Sequence, residues 1–286
     1  MAILDFFDEF SNYRRDRDGE KAINLKPVIM SVKFFNMTRA EFLSKKLLHK
    51  YMPLERVLEM LTNQTIWFAN PTIWKDPFEK RFIENVYNIG GVQKPFPWKD
   101  RVYCMCATQT ATSEAYWNAY TAGEIGISIK FNRQNLLNEL DRLAAAGNRI
   151  YIGKVEYQRT QDIKASLSGN PFLNPIGAPI LSLGSEELKV RLLLLKRLAY
   201  QYENEVRFFI VRNKAAKQSG TLLKYNIPNT DLIDSISLDP RIGPMTVGLL
   251  RKEFENHYGF TPISRTQRRV QRSLLYAEEK PTILKL

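Results

Sequence analysis

The feature that most constrains the fold is a row of charged residues that leads into an apolar strand. Residues 202–207 read YENEVR, and residues 208–211 follow at once as FFIV. Alternate side chains of a strand share a face, so Glu203, Glu205 and Arg207 are predicted to lie together. On a buried face these charges need partners or a ligand, whereas on an exposed edge strand they are ordinary solvated positions. The segment therefore predicts a strand and marks a candidate site.

The rest of the chain alternates short strand patterns with helical ones. Residues 101–106 and 126–131 are rich in β-branched, aromatic and other apolar residues, which predicts strands, and the leucine spacing of residues 186–200 predicts a long helix. Many short strands with helices between them predict an α+β fold. We expect one domain with a mixed, mostly antiparallel central sheet of short strands, flanked by helices.

The chain is predicted to divide near residue 44. Residues 1–44 mix a short amphipathic pattern with a highly charged stretch, which predicts a helical and linker extension. Residues 45–286 form the predicted α+β domain. We expect the extension either to cap the core or to bind a protein partner.

Charge predicts one class of partner. The 286 residues contain 42 Lys and Arg against 30 Asp and Glu, for a formal net charge of +12. Four arginines crowd one C-terminal segment: Arg265, Arg268, Arg269 and Arg272. Arginine clusters bind phosphates, so a nucleic acid or a ribonucleoprotein is the predicted target, and surface solubility is the alternative.

The composition also argues against a membrane protein and a zinc site. No apolar run approaches the ~20 residues that span a bilayer, so we expect no membrane partner and a cytoplasmic location. Cys104 and Cys106 are spaced poorly for a structural disulfide and are expected to be reduced. With His49 and His257 far apart in sequence, no tetrahedral zinc ligand set is present, and we expect no metal.

Two further segments carry candidate binding residues. His49 and Lys50 interrupt an apolar strand pattern and can present polar atoms to a ligand's phosphate or ribose oxygens. Ser113, Trp117 and Tyr120 share one face of a predicted helix, where an aromatic wall can stack on a flat heterocycle. The alternative for this stripe is a place in the core.

The order of these segments resembles a bacterial family, domain of unknown function family 2971. The resemblance covers roughly residues 47–276. It rests on these segments: LLHKY at 47–51, IWFANP at 66–71, DPFE at 76–79, SEAYW at 113–117, GISIKF at 126–131, YENEVR at 202–207, ISLDPR at 236–241 and RSLLY at 272–276. The family usually has Asn before the Asp-Pro-Phe sequence, where this chain has Lys75.

The family's layout is similar to that of ADP-ribosyltransferases, which implies an NAD-using enzyme, such as a toxin or phage-defence effector acting on nucleic acid or protein. The resemblance implies catalytic roles for Glu205 and Glu203. In such a site an aromatic residue stacks on the nicotinamide, one carboxylate stabilises the oxocarbenium-like charge, and the other activates the acceptor. It implies NAD-binding roles for these residues: His49, Lys50, Tyr51, Ser113, Trp117, Tyr120 and Arg207. On this basis we expect Ala at Glu205 to abolish turnover and leave the fold intact.

Two other functions compete with this one. A metal-dependent nuclease would hold magnesium with four carboxylates, those of Asp76, Glu79, Glu203 and Glu205. A non-catalytic nucleic-acid-binding module would depend only on the C-terminal arginines, and its binding would weaken steeply with salt.

Overall fold

The computed structural model describes residues 31–89, 92–110, 114–121, 123–167, 185–213, 220–227, 230–260 and 269–272. The strands are β1 (Lys33–Phe35), β2 (His49–Pro53), β3 (Thr65–Ala69), β4 (Val86–Ile89), β5 (Val92–Pro95), β6 (Val102–Thr108), β7 (Gly126–Phe131), β8 (Arg149–Lys154), β9 (Glu156–Gln158), β10 (Leu195–Arg197), β11 (Glu205–Val211), β12 (Leu222–Asn226), β13 (Ile233–Leu238) and β14 (Arg269–Arg272). The α-helices are α1 (Arg39–Ser44), α2 (Leu54–Thr62), α3 (Pro77–Glu84), α4 (Glu114–Thr121), α5 (Arg133–Ala145), α6 (Thr160–Leu167), α7 (Glu186–Leu194) and α8 (Pro244–Tyr258). Short 3₁₀ helices span Pro71–Ile73, Leu198–Glu203 and Thr230–Leu232.

Ten of these strands form one sheet. Its main order is β1-β8-β11-β6-β2-β7-β13-β14, with β3 also paired to β6 and β12 paired to β3. Only the β1–β8 and β13–β14 pairs within it are parallel. The predicted α+β fold with a mixed, mostly antiparallel sheet is therefore confirmed.

The strand β11 lies deep inside this sheet. It pairs antiparallel with β6 on one side and with β8 on the other, and all seven of its residues are buried. The edge-strand alternative for Glu205 and Arg207 is therefore wrong. Both charged side chains are almost fully buried, with 5% of Glu205 and 1% of Arg207 exposed.

Alternate residues of β11 enter two separate cores. Phe208 packs on one face with leucines of α5, and Phe209 packs on the other with leucines of α7. Because Glu205 and Arg207 have the same parity as Phe209, they point to the α7 face. The sheet thus fixes the side on which the charged residues meet.

Part of the predicted extension belongs to the domain. Strand β1 pairs with β8, and the Phe42 side chain of α1 is fully buried in the main core. Thr38 caps α1 through a reciprocal capping box with Glu41. The predicted boundary at residue 44 therefore falls inside the folded unit, while residues 1–30 lie outside the described residues.

Several local predictions can be compared directly. Asn132 caps α5, and Gly259 adopts the left-handed conformation directly after α8, where glycine is favoured. The Cys104 and Cys106 sulfur atoms lie 3.8 Å apart and are not bonded to each other. The helix predicted for residues 186–200 ends at Leu194, because the next three residues pair with β9. Within the described ranges, no helix has the length and apolarity needed to cross a membrane.

Candidate functional site

A left-handed residue, rather than strand alternation, brings the two glutamates together. Glu203 ends a 3₁₀ helix, Asn204 has φ 41° and ψ 53°, and β11 begins at Glu205. The Asn204 N–H donates to Gln201 O, and its carbonyl accepts from Gln109 N. Asn tolerates this conformation better than most residues. The strand predicted from residue 202 is therefore shorter at its start, yet both carboxylates still reach one site.

That site is organised around a buried lysine from β10. The Lys196 Nζ lies 2.6 Å from Glu203 Oε2, 3.1 Å from Glu205 Oε2 and 3.2 Å from Glu79 Oε1. Glu79 comes from the first turn of α3, so three distant segments meet here. All four side chains are buried. The ammonium group compensates carboxylates that would otherwise be too costly to bury.

Arg207 is the second cation of the network. Its Nε and Nη2 donate to the two Glu205 oxygens at 3.0 Å each, and Nη2 also donates to Glu79 Oε2 at 2.9 Å. Its Nη1 donates to Leu193 O at 2.6 Å, and its guanidinium lies 4.3 Å from the centre of the Trp74 ring. Only 1% of Arg207 is exposed. This geometry makes Arg207 a buried partner of the carboxylates, behind the surface that a ligand can reach.

The network shifts the pKa values of Glu203 and Glu205 in opposite directions. Burial, together with the nearby Glu205 charge, raises the pKa of Glu203 although Lys196 opposes the shift. Burial also disfavours the charged form of Glu205, but Arg207 and Lys196 outweigh it and lower that pKa to about 2. A pair of carboxylates with separated pKa values can divide acid–base and electrostatic roles.

Glu203 and Glu205 both line a small recess. Its volume is about 50 Å³, and Cys106, Thr108 and Tyr116 form part of its wall. Six residues proposed from sequence also line it: His49, Lys50, Tyr51, Tyr120, Glu203 and Glu205. The structure thus brings together residues that are up to 156 positions apart in the chain.

The other predicted site residues lie elsewhere or outside the described part. Trp117 is fully buried and does not line the recess, although its ring lies 4.8 Å from that of Tyr51, which does. Ser113 lies outside the described residues. The core alternative therefore holds for Trp117, whereas Tyr120 on the same helix is 44% exposed.

His49 and Lys50, at the start of β2, are both held in place by hydrogen bonds. The His49 Nδ1 lies 3.3 Å from Ser128 Oγ, and burial, with Lys130 and Arg133 nearby, lowers the pKa of His49 to about 4. His49 is therefore neutral at pH 7. Lys50 donates to Cys106 O at 3.0 Å, so it is the cation that the recess itself presents.

An aromatic stack forms one side of the recess. Tyr116 stacks on Tyr51 at 5.0 Å and on Tyr120 at 6.0 Å, and its edge meets Tyr202 at 6.3 Å. The Tyr116 hydroxyl is 2.9 Å from Thr108 Oγ1. Tyr120 and Tyr202 are 44% and 47% exposed, so they offer flat apolar surface beside the carboxylates.

Sequence reasoning missed Lys196 and Tyr116. Lys196 follows a leucine-rich helix and has no motif of its own, so no local pattern identifies it. Tyr116 lies inside the SEAYW segment, but the predicted face of α4 contained Trp117 and Tyr120 instead. Glu79 entered only as a magnesium ligand, and here it pairs with Lys196 and Arg207.

The carboxylates proposed for magnesium do not form an open metal site. Lys196 Nζ already occupies the point where the oxygens of Glu79, Glu203 and Glu205 converge. Asp76 caps α3 and accepts two hydrogen bonds from Arg197. In the part of the chain that the structure describes, no group of three His, Cys, Asp or Glu residues is placed to hold a metal ion.

The C-terminal arginines lie away from this recess where they are described. Arg269 is exposed at the start of β14, and Arg272 aligns with Leu238 at its end. Arg265 and Arg268 lie outside the described residues. Strand β14 is separated from β2 by three strand spacings, or roughly 14 Å.

Comparisons of the chain with protein-family models, curated proteins and solved structures give no match. The resemblance to a family therefore remains a prediction, and the function must be argued from the geometry of the site.

Proposed function

We propose that the chain is an ADP-ribosyltransferase-like enzyme that uses NAD as a co-substrate and belongs to the family that its sequence resembles. One observation carries this proposal. Glu203 and Glu205 both line an aromatic-edged recess and both contact Lys196, and their pKa values are shifted in opposite directions. Breaking the bond between ribose and nicotinamide develops positive charge on the sugar, and fixed negative charge stabilises such a transition state.

The two carboxylates are suited to different roles. Glu205 is held as an anion by Arg207 and Lys196, so it supplies fixed negative charge beside the recess. The Glu203 carboxylate contacts Lys196 through Oε2, and its pKa is raised. We assign it the hydrogen bond to a ribose hydroxyl and the proton exchange with the acceptor.

The size of the recess limits how NAD would lie. A volume of about 50 Å³ holds a few water-sized groups, which is far less than a dinucleotide requires. Most of the ligand would therefore lie outside, against the exposed rings of Tyr120 and Tyr202. Lys50, which lines the recess, is the cation that we assign to the phosphates of NAD.

The direct test is nicotinamide release from NAD by the full chain and by Glu203→Gln, with protein and nucleic acid offered as acceptors. Glutamine keeps the size of the side chain and removes its proton exchange, so we expect at least a 100-fold loss of rate. The low-pH limb of the rate profile should disappear with it. Glu55→Gln, at an exposed position of α2, is the matched control and should behave as the unchanged chain.

The result decides between the candidate functions. Full activity in Glu203→Gln would remove the catalytic assignment. Absence of both NAD binding and nicotinamide release in the unchanged chain would refute the proposal as a whole. Label found on nucleic acid or on protein would identify the acceptor class.

A test of Glu205 requires a substitution that disturbs the buried network less than the alanine proposed from the sequence. Its carboxylate makes four hydrogen bonds or ion pairs to buried cations and neighbours, among them Arg207 and Lys196. Alanine would leave Arg207 short of a buried partner, so loss of activity would be confounded with loss of fold. Glu205→Gln, checked by its unfolding curve, separates the two effects.

A further inference from the structure

A second cavity lies on the opposite face of the sheet from the carboxylates. Its volume is about 280 Å³. Met105 and Ile66 line it and belong to the core on the α5 face, whereas Cys106 of the first recess belongs to the α7 face. It is therefore a separate cavity, and of the residues that line it only Lys50 also lines the first recess.

The topology of the sheet explains why this cavity exists. Strands β2 and β3 each pair with the same edge of β6, at Thr108 and at Cys104 respectively. They diverge between these points, which leaves a gap along the edge of β6. The Lys50 side chain reaches into this gap and donates a hydrogen bond to Cys106 O. It therefore lines both cavities.

The wall of the cavity is apolar and adaptable. Three methionines, Met52, Met60 and Met105, contribute to it together with Ile66 and the ring of Trp67. Methionine side chains are flexible and polarisable, so they accommodate ligands of varied shape. A cavity of about 150 Å³ holds benzene, so this one has room for about two rings or for a chain of about ten carbons.

The polar groups at this cavity are mostly cationic. Lys50 and Arg56 line it, and Lys224 lies 4.8 Å from the centre of the Trp67 ring. Arg56 also lies over that ring, at 5.0 Å. The Glu59 carboxylate pairs with both Arg56 and Lys224, at 3.1 Å each. Three cations with one shared carboxylate favour an anionic ligand group.

From this combination we infer that the cavity binds an amphipathic anion: an apolar body of about ten carbons with one carboxylate or similar group. The apolar part would be buried among the methionines. The anionic group would lie near Arg56 and Lys50, because these are the charged side chains of the lining. Few polar groups in a mostly apolar cavity is the usual composition of a small-molecule site.

The test uses three probes of one length: decanoate, decanol and decylamine, titrated calorimetrically into the full chain. We expect one decanoate per chain, with decanol binding about tenfold more weakly because it lacks the charge-assisted contact. Decylamine should bind more weakly still. Absence of decanoate binding, or equal binding of decanoate and decylamine, would overturn the inference.

Two variants locate the binding. Arg56→Gln alters an exposed side chain and should reduce the affinity for decanoate toward that for decanol, with Lys50 still present, while leaving the affinity for decanol unchanged. Met52→Trp fills the cavity from a half-buried position and should abolish binding of both. If Met52→Trp fails to fold, Arg56→Gln still decides, since unchanged decanoate binding in that variant contradicts the assignment.

Discussion

Replacement of Arg207 by methionine tests whether the charged network is a coupled unit. Methionine keeps an unbranched apolar side chain and removes the guanidinium. The change eliminates two hydrogen bonds to Glu205, one to Glu79 and one to Leu193 O. Leu193 lies in the last turn of α7, where carbonyls lack helical partners, so its oxygen depends on this donor.

The expected cost follows from these contacts. Removing one partner of a buried ion pair costs about 3–5 kcal/mol, and a buried carbonyl without a donor costs about 1–3 kcal/mol. Because Lys196 still compensates part of the charge, we expect a loss of about 4–6 kcal/mol for Arg207→Met. The free energy of unfolding of a typical domain is about 5–15 kcal/mol, so this loss would remove much of the stability.

Urea unfolding, followed by far-UV circular dichroism, measures this loss. The informative comparison is the double variant Arg207→Met with Glu205→Leu, which removes both charges. Glu79 then keeps Lys196 as its partner, so we expect the double variant to be at least about 2 kcal/mol more stable than Arg207→Met alone. A single variant that loses less than about 1 kcal/mol, or a double variant less stable than the single, would refute this account of the network.

Two further predictions concern neighbouring residues. Burial, and then Lys130 and Arg133, lower the pKa of His49 in the folded chain to about 4 from its ordinary value of 6.5. As the pH falls, His49 therefore takes up a proton in the unfolded chain before it does so in the folded chain. Stability should therefore decrease by up to about 3 kcal/mol between pH 6.5 and pH 4, and urea unfolding of His49→Gln should lack this dependence. Asn204→Gly should preserve stability and nicotinamide release, whereas Asn204→Val should cost about 1–2 kcal/mol and displace Glu203; equal behaviour of the two variants would contradict the role of the left-handed turn.

Local sequence patterns predicted which helices and strands form more completely than they predicted where those elements end and which strands pair. The strands predicted at 101–106 and across 202–211 form the central pair β6–β11, with observed bounds Val102–Thr108 and Glu205–Val211. Asn132 caps the start of α5, and Gly259 follows the end of α8. The end of α7 at Leu194 could not be predicted in this way. Its leucine spacing continues past that point, and only pairing with the distant strand β9 makes the next residues extended.

In the candidate site too, local sequence patterns identify some residues, and tertiary structure alone identifies others. Glu203 and Glu205 stand out because charges precede an apolar strand, but their convergence depends on Asn204, whose left-handed conformation is not evident from the YENEVR sequence. Lys196 could not be found at all from sequence, since a lysine after a helix is usually solvated. Its role arises from tertiary structure, which places β10 against the start of β11 and against Glu79.

A buried ion-pair network is a poor source of stability, because apolar side chains of similar volume often stabilise a fold as well or better. The particular arrangement here has a chemical consequence that such replacements would lose. Among the described contacts, Arg207 makes two hydrogen bonds to Glu205 and none to Glu203, while Lys196 contacts both. This asymmetry holds one carboxylate ionised and leaves its neighbour, at the same recess, with a raised pKa. A symmetrical pair would carry two similar charges and could not divide proton exchange from electrostatic stabilisation. We therefore propose that the network serves the chemistry of the recess rather than the stability of the sheet.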